Sequence, residues 1–279
     1  MISIVTPSYR QLDWLRLAVA SVKDQSGVEV EHIVQDAGTD GIKELFDEAT
    51  SRHPVNYHPY LIVETDAGMY DAINRGLARA RGDICAYLNC DEQYLPGALA
   101  RISEFFAKSP EIDIVFGDMI LVDQEGVPLS YRRMVRPTLH HTAHAHLNTA
   151  TCSMFFRRSL FERGFHFDPA WKTIGDAVWV TALLRARIRM STLPAPLAIF
   201  TQTGGNLGAA GLSRAEIERW KSSHRTHSLS TAAAVFWLRV RKLFAGAYRT
   251  RKVEVDIFTS ASPEKRQKMA ATVGFGWVS

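Results

Sequence analysis

Asn89, Asp91 and Glu92 fall within the run Tyr87-Leu-Asn-Cys-Asp-Glu92, directly behind the apolar stretch 84–88. Oxygen donors so grouped suit a hard divalent cation, Mg²⁺ or Mn²⁺, which takes one or two carboxylates and shares its other positions with phosphate oxygens. A metal there could hold a diphosphate. A further acid, Asp176, lies in Trp171-Lys-Thr-Ile-Gly-Asp-Ala-Val-Trp179, near the start of a helical pattern over 173–187. A carboxylate so placed is either an acid favoured by the helix dipole, at about 0.3–1 kcal/mol, or a proton acceptor for a bound hydroxyl. Four of the ten histidines, His140, His141, His144 and His146, crowd into 132–148. His140 and His144 stand at i, i+4, a spacing that matters only on a helix, and the stretch reads as a loop over the active edge. Metal binding, phosphate or acceptor contacts, and a plain polar loop all fit it. No Ser, Cys or His stands in a nucleophile context.

The elements that must position these groups follow from periodicity. Strands are expected at 2–6, 30–35, 60–63 and 84–88, with helices between them at 12–22, 42–51 and 70–80. Alternation of this kind predicts an α/β fold with a mostly parallel sheet covered on both faces. Ligands bind such sheets beyond the carboxyl ends of the strands. Thr6-Pro7-Ser8-Tyr9, Asp36, Asp66 and Asn89-Cys90-Asp91-Glu92 all follow strands and therefore share that edge. Further on, a helix from Pro96, a strand at 112–116, a hairpin turn at Glu125-Gly126, strands at 154–156 and 196–200 and a loop at Gly204-Gly205-Asn206 are expected. No internal repeat is evident.

The chain has 279 residues, 46% of them apolar, enough for one large domain with an appendage. Three cysteines without metal or disulfide spacing point to a reducing compartment. No run of about 18 apolar residues and no leader pattern is seen, so the expectation is a cytoplasmic protein. Residues 213–279 carry 13 Lys and Arg against 5 Asp and Glu, while the remainder carries 20 against 24. Basicity confined to a tail argues against a nucleic-acid partner.

Taken together, the four strand-end pieces resemble the family 2 glycosyltransferases with the GT-A fold, of the bacterial surface-polysaccharide type, across roughly residues 1–205. Shared features are the Thr-Pro-x-Tyr opening, an Asp-Gly-rich turn, the helix start Gly68-Met-Tyr-Asp-Ala-Ile73 and a variant of the Asp-x-Asp signature. The resemblance implies a GT-A domain over 1–212, with a nucleotide half over about 1–95 and an acceptor half over about 96–212. Thr6, Pro7, Ser8, Tyr9, Asp36, Asp66, Asn89 and Cys90 would line the nucleotide site. Ala37 stands where a base-contacting Asp is often found, and Asn89 replaces the first acid of the signature, leaving Asp91 as the metal ligand. Asp176 falls on the catalytic base, which implies inverting transfer from a nucleoside-diphosphate sugar, UDP-linked by resemblance, to a saccharide or lipid-linked acceptor. A nucleotide-sugar-binding protein without turnover is the alternative. A nucleotidyltransferase would want a Gly-rich loop after the first strand, which Pro7-Ser8-Tyr9-Arg10 lacks.

Residues 213–279 read as a basic, mainly helical extension with one strand at 253–258. Over 232–252 the residues Phe236, Trp237, Val240, Leu243, Phe244, Ala247 and Tyr248 share one face, with Arg241, Lys242, Arg249 and Lys252 largely opposite. That pattern fits peripheral contact with the inner face of the cell membrane, or packing on the catalytic domain or on a second copy of the chain, with the basic residues solvated.

Overall fold

β-Branched and apolar runs form strands buried on both faces, and these build the sheet that carries the candidate site. The computed structural model describes residues 1–204, 211–224 and 228–275; Gly205 and Asn206 of the expected loop lie outside them. In chain order come β1 (Ile2–Ser8), α1 (Leu12–Lys23), β2 (Val30–Asp36), α2 (Ile42–Thr50), β3 (Tyr57–Val63), α3 (Met69–Arg79) and β4 (Ile84–Tyr87). There follow β5 (Glu92–Tyr94), α4 (Ala98–Lys108), β6 (Ile114–Val122), β7 (Pro128–Arg132), α5 (Leu139–His144), β8 (Met154–Arg157), α6 (Ser159–Glu162), α7 (Gly175–Arg185) and β9 (Met190–Thr201). The chain continues through α8 (Gly211–Ser223), α9 (Ser228–Phe244), β10 (Arg251–Thr259) and β11 (Ser262–Val273).

The sheet runs β3-β2-β1-β4-β8-β6-β9-β5, with β7 added to β6. Its first four strands are parallel, and Ser8 pairs in register with Asp36 and Asp36 with Val63. The carboxyl ends of β1, β2 and β3 are therefore level. Every residue of β1 and β2 is buried, as a sheet covered by helices on both faces requires. Pro59 sits in β3, an edge strand where its missing N–H breaks no ladder. The second half of the sheet is mixed: β8 runs antiparallel to β4 and β6, while β6 and β9 are parallel.

Two expectations need correction in the second half. The histidine stretch contains the six-residue helix α5 rather than a featureless loop, capped by the Thr138 hydroxyl on His141 N–H. The tail also holds a hairpin, β10 with β11, of which only the first strand was visible in the pattern. Val253, Val255 and Ile257 turn inward on alternate residues and pack with Leu95, Ile120, Tyr131 and Ile199, the period of a half-buried strand. Gln93 fastens the hairpin by exchanging two hydrogen bonds with the backbone of Phe258, at 2.9 and 3.0 Å.

The helix expected over 232–252 stops at Phe244 because Gly246 adopts φ 67° and its neighbour Ala247 N–H returns to Lys242 O at 2.9 Å, a left-handed glycine cap. Its orientation departs from the pattern-based view. Ala234 and Leu238 face the protein, whereas Phe236, Trp237, Leu243 and Phe244 are exposed. The aromatic face thus does not cover the catalytic domain of its own chain, and Lys242, expected to be solvated, is turned partly inward. Among the described residues no helix is long and apolar enough to cross a membrane.

Candidate active site

The level strand ends gather the loops that sequence motifs marked, but they use the side chains in different ways. Asp36 is fully buried. Its Oδ1 accepts from Gly38 N–H at 2.8 Å and Thr39 N–H at 2.6 Å, and its Oδ2 accepts from the Thr39 hydroxyl at 2.9 Å. Thr39 in turn accepts from Arg10 N–H at 2.8 Å. The carboxylate expected to meet a base or ribose is thus engaged in an Asx turn that ties the loop after β2 to the loop after β1.

Thr6 lies beneath the site. Its hydroxyl meets His32 Nε2 at 2.9 Å, and His32 Nδ1 meets the Tyr57 hydroxyl at 2.8 Å. Complete burial drives the His32 pKa down to about 3, so this imidazole is a neutral core link. Cys90 is buried among Leu15, Val34 and Leu45, with its thiol on Pro7 O at 3.3 Å. Burial pushes that thiol up to about 12 and leaves it inert. Pro7 and Ser8 are also buried. Tyr9, by contrast, is 53% exposed, with Arg10 4.8 Å from its ring centroid. It offers an open aromatic face at the strand end. Asp66 is half-buried, and its Oδ1 accepts from Gly68 N–H at 2.8 Å, shaping the entry to α3.

The run after β4 forms a compact oxygen-rich turn. Asn89 and Asp91 are half-buried, and Asp91 O accepts from Thr201 N–H at 3.3 Å. Glu92 is buried rather than solvated: Oε2 accepts from Asn89 N–H at 2.8 Å, and burial, reinforced by Asp91, holds its carboxyl well above the usual carboxylate range. Asn89 Oδ1 and Glu92 Oε1 are buried with no hydrogen-bond partner among the described residues. Orphaned buried oxygens of this kind call for a ligand. No cluster of three or more His, Cys, Asp or Glu side chains stands ready for a metal among those residues. The donor set fits a cation that draws its remaining ligands from a bound diphosphate.

Asp176 opens α7 and is half-buried. Its Oδ1 accepts from Ala177 N–H at 2.8 Å and from the Tyr70 hydroxyl at 3.4 Å, while its own N–H donates to the Tyr70 oxygen at 3.1 Å. Burial pushes the carboxyl up to about 6, against the lowering effect of these hydrogen bonds. A carboxylate poised there is ionised at neutral pH yet basic enough to take a proton. Gly175 is required for this arrangement, because a Cβ at that position would lie 2.5 Å from the Tyr70 ring. The ring is fixed from beneath by Phe167, stacked at 5.7 Å, which itself stacks on Trp179 at 4.6 Å.

Glu216 completes the support, from α8 in the extension. Its Oε1 accepts from Lys172 N–H at 2.6 Å, and its Oε2 from Thr173 N–H at 2.8 Å, the Thr173 hydroxyl at 2.7 Å and Ile174 N–H at 3.2 Å. One carboxylate thus collects the loose N–H groups ahead of α7 and holds the segment that carries Asp176. Sequence inspection missed both Tyr70 and Glu216. Tyr70 was visible only as part of a helix start, and Glu216 has nothing to distinguish it among the charged residues of α8. A cavity of about 220 Å³ opens at Asp176, and Phe200, the register partner of Glu92, shares its wall.

This geometry coincides with a sequence match: the model of glycosyl transferase family 2 covers residues 3–165, more than half of the chain. The chain belongs to glycosyl transferase family 2. An uncharacterized glycosyltransferase of Nostoc sp. is 27% identical over 79% of this chain and 70% of its own length. A PGL/p-HBAD biosynthesis glycosyltransferase of Mycobacterium tuberculosis is 32% identical over 43% of this chain and 47% of its own, so the chain spans about half the length of that relative. Among solved structures, S. aureus TarS 1–349 in complex with UDP-GlcNAc matches with a TM-score of 0.59 at 18% identity, over 75% of this chain and 61% of that one. The mannosyltransferase PcManGT from Pyrobaculum calidifontis, in complex with GDP-Man and Mn²⁺, matches at 0.58 and 16%, over 88% and 71%. At such identities the likeness is one of fold. The α/β architecture and the glycosyltransferase class expected from the strand-end motifs are the ones found.

Proposed function

We propose that this family 2 glycosyltransferase moves a sugar from a UDP-sugar to a saccharide or lipid-linked acceptor in polysaccharide assembly, by a single displacement with inversion. The observation that carries the proposal is Asp176, held by Tyr70 and Gly175 at a cavity that Phe200, the register partner of Glu92, also lines, with its carboxyl raised to about 6. As the acceptor hydroxyl attacks the anomeric carbon, Asp176 takes its proton. Tyr70 fixes the carboxylate, and Glu216 fixes the backbone that presents it. Asp91, with Asn89 and Glu92 beside it, would hold a divalent cation, Mn²⁺ or Mg²⁺, which when bound offsets charge on the departing diphosphate. Tyr9 and the loop braced by Asp36 and Thr39 offer the surface for the nucleoside. The UDP-linked donor is favoured by the UDP-GlcNAc complex of a fold relative, and the GDP-Man complex of another makes donor choice an experimental matter.

The exposed Phe236, Trp237, Leu243 and Phe244 would rest on an acidic membrane surface, consistent with a lipid-linked acceptor. Flotation of the intact chain with acidic liposomes tests this contact, and a protein that stays at the bottom of the gradient, or a dimer closed over the same residues, removes it. A thermal-shift screen of nucleotide sugars with and without Mn²⁺ identifies the donor, since a bound ligand stabilises the fold by mass action. Release of nucleoside diphosphate from that donor, across a broad acceptor panel, then tests transfer. Metal-dependent binding with no turnover on any acceptor would instead favour the binding-protein alternative.

A further inference from the structure

Lys172 lies in the segment ahead of α7 and is exposed, yet its ammonium is engaged on two separate loops. It donates to Ala67 O at 2.6 Å and to Pro169 O at 2.8 Å. Hydrogen bonds from a charged donor are stronger than neutral ones. Its own N–H is among the groups that Glu216 collects, at 2.6 Å. Glu216 also takes the N–H groups of Thr173 and Ile174, and Asp176 follows two residues later. One side chain thus spans from the loop after β3 to the backbone that presents the base.

The loop it reaches is itself braced. Ala67 N–H donates to Asp71 Oδ2 at 2.9 Å, and Asp66 Oδ1 accepts from Gly68 N–H at 2.8 Å. Gly68 has φ 118°, a conformation that a side chain would strain. With Lys172 on its carbonyl, Ala67 is held at both its N–H and its C=O. Glu64 N–H donates to Asp36 O at 3.0 Å, so this loop is continuous with the turn braced by Asp36 and Thr39. Two further bridges start along α3: the Tyr70 hydroxyl meets Asp176, and the Asn74 amide exchanges hydrogen bonds with the Phe167 backbone at 2.7 and 3.0 Å. Those bridges fix the helix. Lys172 reaches past it, to the turn whose acid, Asp66, the strand-end motifs put at the nucleotide.

Resting on the transferase reading above, we propose that Lys172 is a positioning residue that couples the two halves of the site. It carries the order that a bound nucleotide imposes on Asp66-Ala67-Gly68 to the segment 172–174, and so to Asp176. The base is then held in place when a donor is loaded and is looser when the site is empty. Coupling of this kind runs through a contiguous chain of contacts and typically amounts to about 5–150-fold.

Amide hydrogen exchange of the intact chain tests the coupling, because protection reports local opening. It is measured without nucleotide, with saturating UDP and Mn²⁺, and with saturating GDP and Mn²⁺. In wild type, a bound nucleotide should slow exchange at 66–68 and also at the N–H groups of Lys172, Thr173 and Ile174, the latter by about fivefold or more. Lys172→Met should keep the slowing at 66–68 and lose it at 172–174. Lys172→Gln, too short to span both carbonyls, should do the same, whereas Lys172→Arg, whose guanidinium is a fork of donors, should retain it. A residue that only stabilised the fold would change exchange equally with and without nucleotide. Slowing at 172–174 that survives in Lys172→Met and Lys172→Gln would overturn the proposal, as would wild-type exchange there that neither nucleotide alters. Failure of the transferase reading would appear separately, as absent sugar transfer in a chain whose exchange pattern still depends on Lys172.

Discussion

The two halves of the candidate site are built on opposite plans. At the nucleotide edge, short local motifs follow parallel strands, and several of their polar groups satisfy one another, Asp36 with Thr39, Thr6 with His32 and Cys90 with Pro7, while Asn89 Oδ1 and Glu92 Oε1 are left without a hydrogen-bond partner among the described residues. At the base edge, Asp176, Tyr70, Glu216 and Lys242 come from four distant segments; burial raises the Asp176 carboxyl and lowers the Lys242 ammonium, while Glu216 is engaged by the N–H groups ahead of α7. The contrast separates local from long-range construction. At the first edge Asp36 is engaged in its own turn, and at the second long-range contacts hold the carboxylate of Asp176.

Perturbing the base edge should therefore produce the larger losses. Asp176→Asn should lower kcat by about 10²–10⁴-fold, the range supplied by general-base catalysis, with donor affinity unchanged in calorimetry. Wild-type kcat in that variant would erase the distinction between the halves. Next in size, Asp91→Ala should remove Mn²⁺ stimulation of donor turnover and of donor binding in thermal shift; intact metal dependence would move the cation elsewhere. Glu216→Ala strands the N–H groups of Lys172, Thr173 and Ile174, at about 1–3 kcal/mol of local stability. It should cost roughly tenfold in kcat through misplaced Asp176 while leaving donor Kd alone. An effect confined to melting temperature would make the extension mere scaffold. Smallest, Tyr70→Phe should reduce kcat several-fold. It should also move the acid limb of the pH profile upward, because the hydroxyl's hydrogen bond lowers the Asp176 pKa and its loss raises it.

Legibility in the sequence divides along the same line. The strands β1 to β4 read as apolar runs because both their faces are buried, and their loops stood out because turn chemistry is local. What the motifs could not convey was side-chain direction: Thr6 and Cys90 point into the core, and Asp36 into its own turn. In the other half, β5 is three polar-to-aromatic residues, Glu92–Tyr94, with no run to detect. The hairpin strand β11 carries charges on its open face, which hides its alternation. Glu216 and Lys242 make their contacts at the site with residues about 30 to more than 100 positions away in sequence. The aromatic face of α9 was legible as a face, but not which way it turned, since Ala234 and Leu238 make a narrower packing stripe than the exposed aromatics suggest.

The pH dependence of kcat/KM for sugar transfer, measured on wild type and Asp176→Asn at saturating metal, tests the central claim most directly. A base with its pKa near 6 must be ionised to act, so wild-type activity should be full above that pH and fall tenfold per unit below it. The variant should show a low rate without that limb. Retention of both the rate and the acid limb in Asp176→Asn would contradict the account.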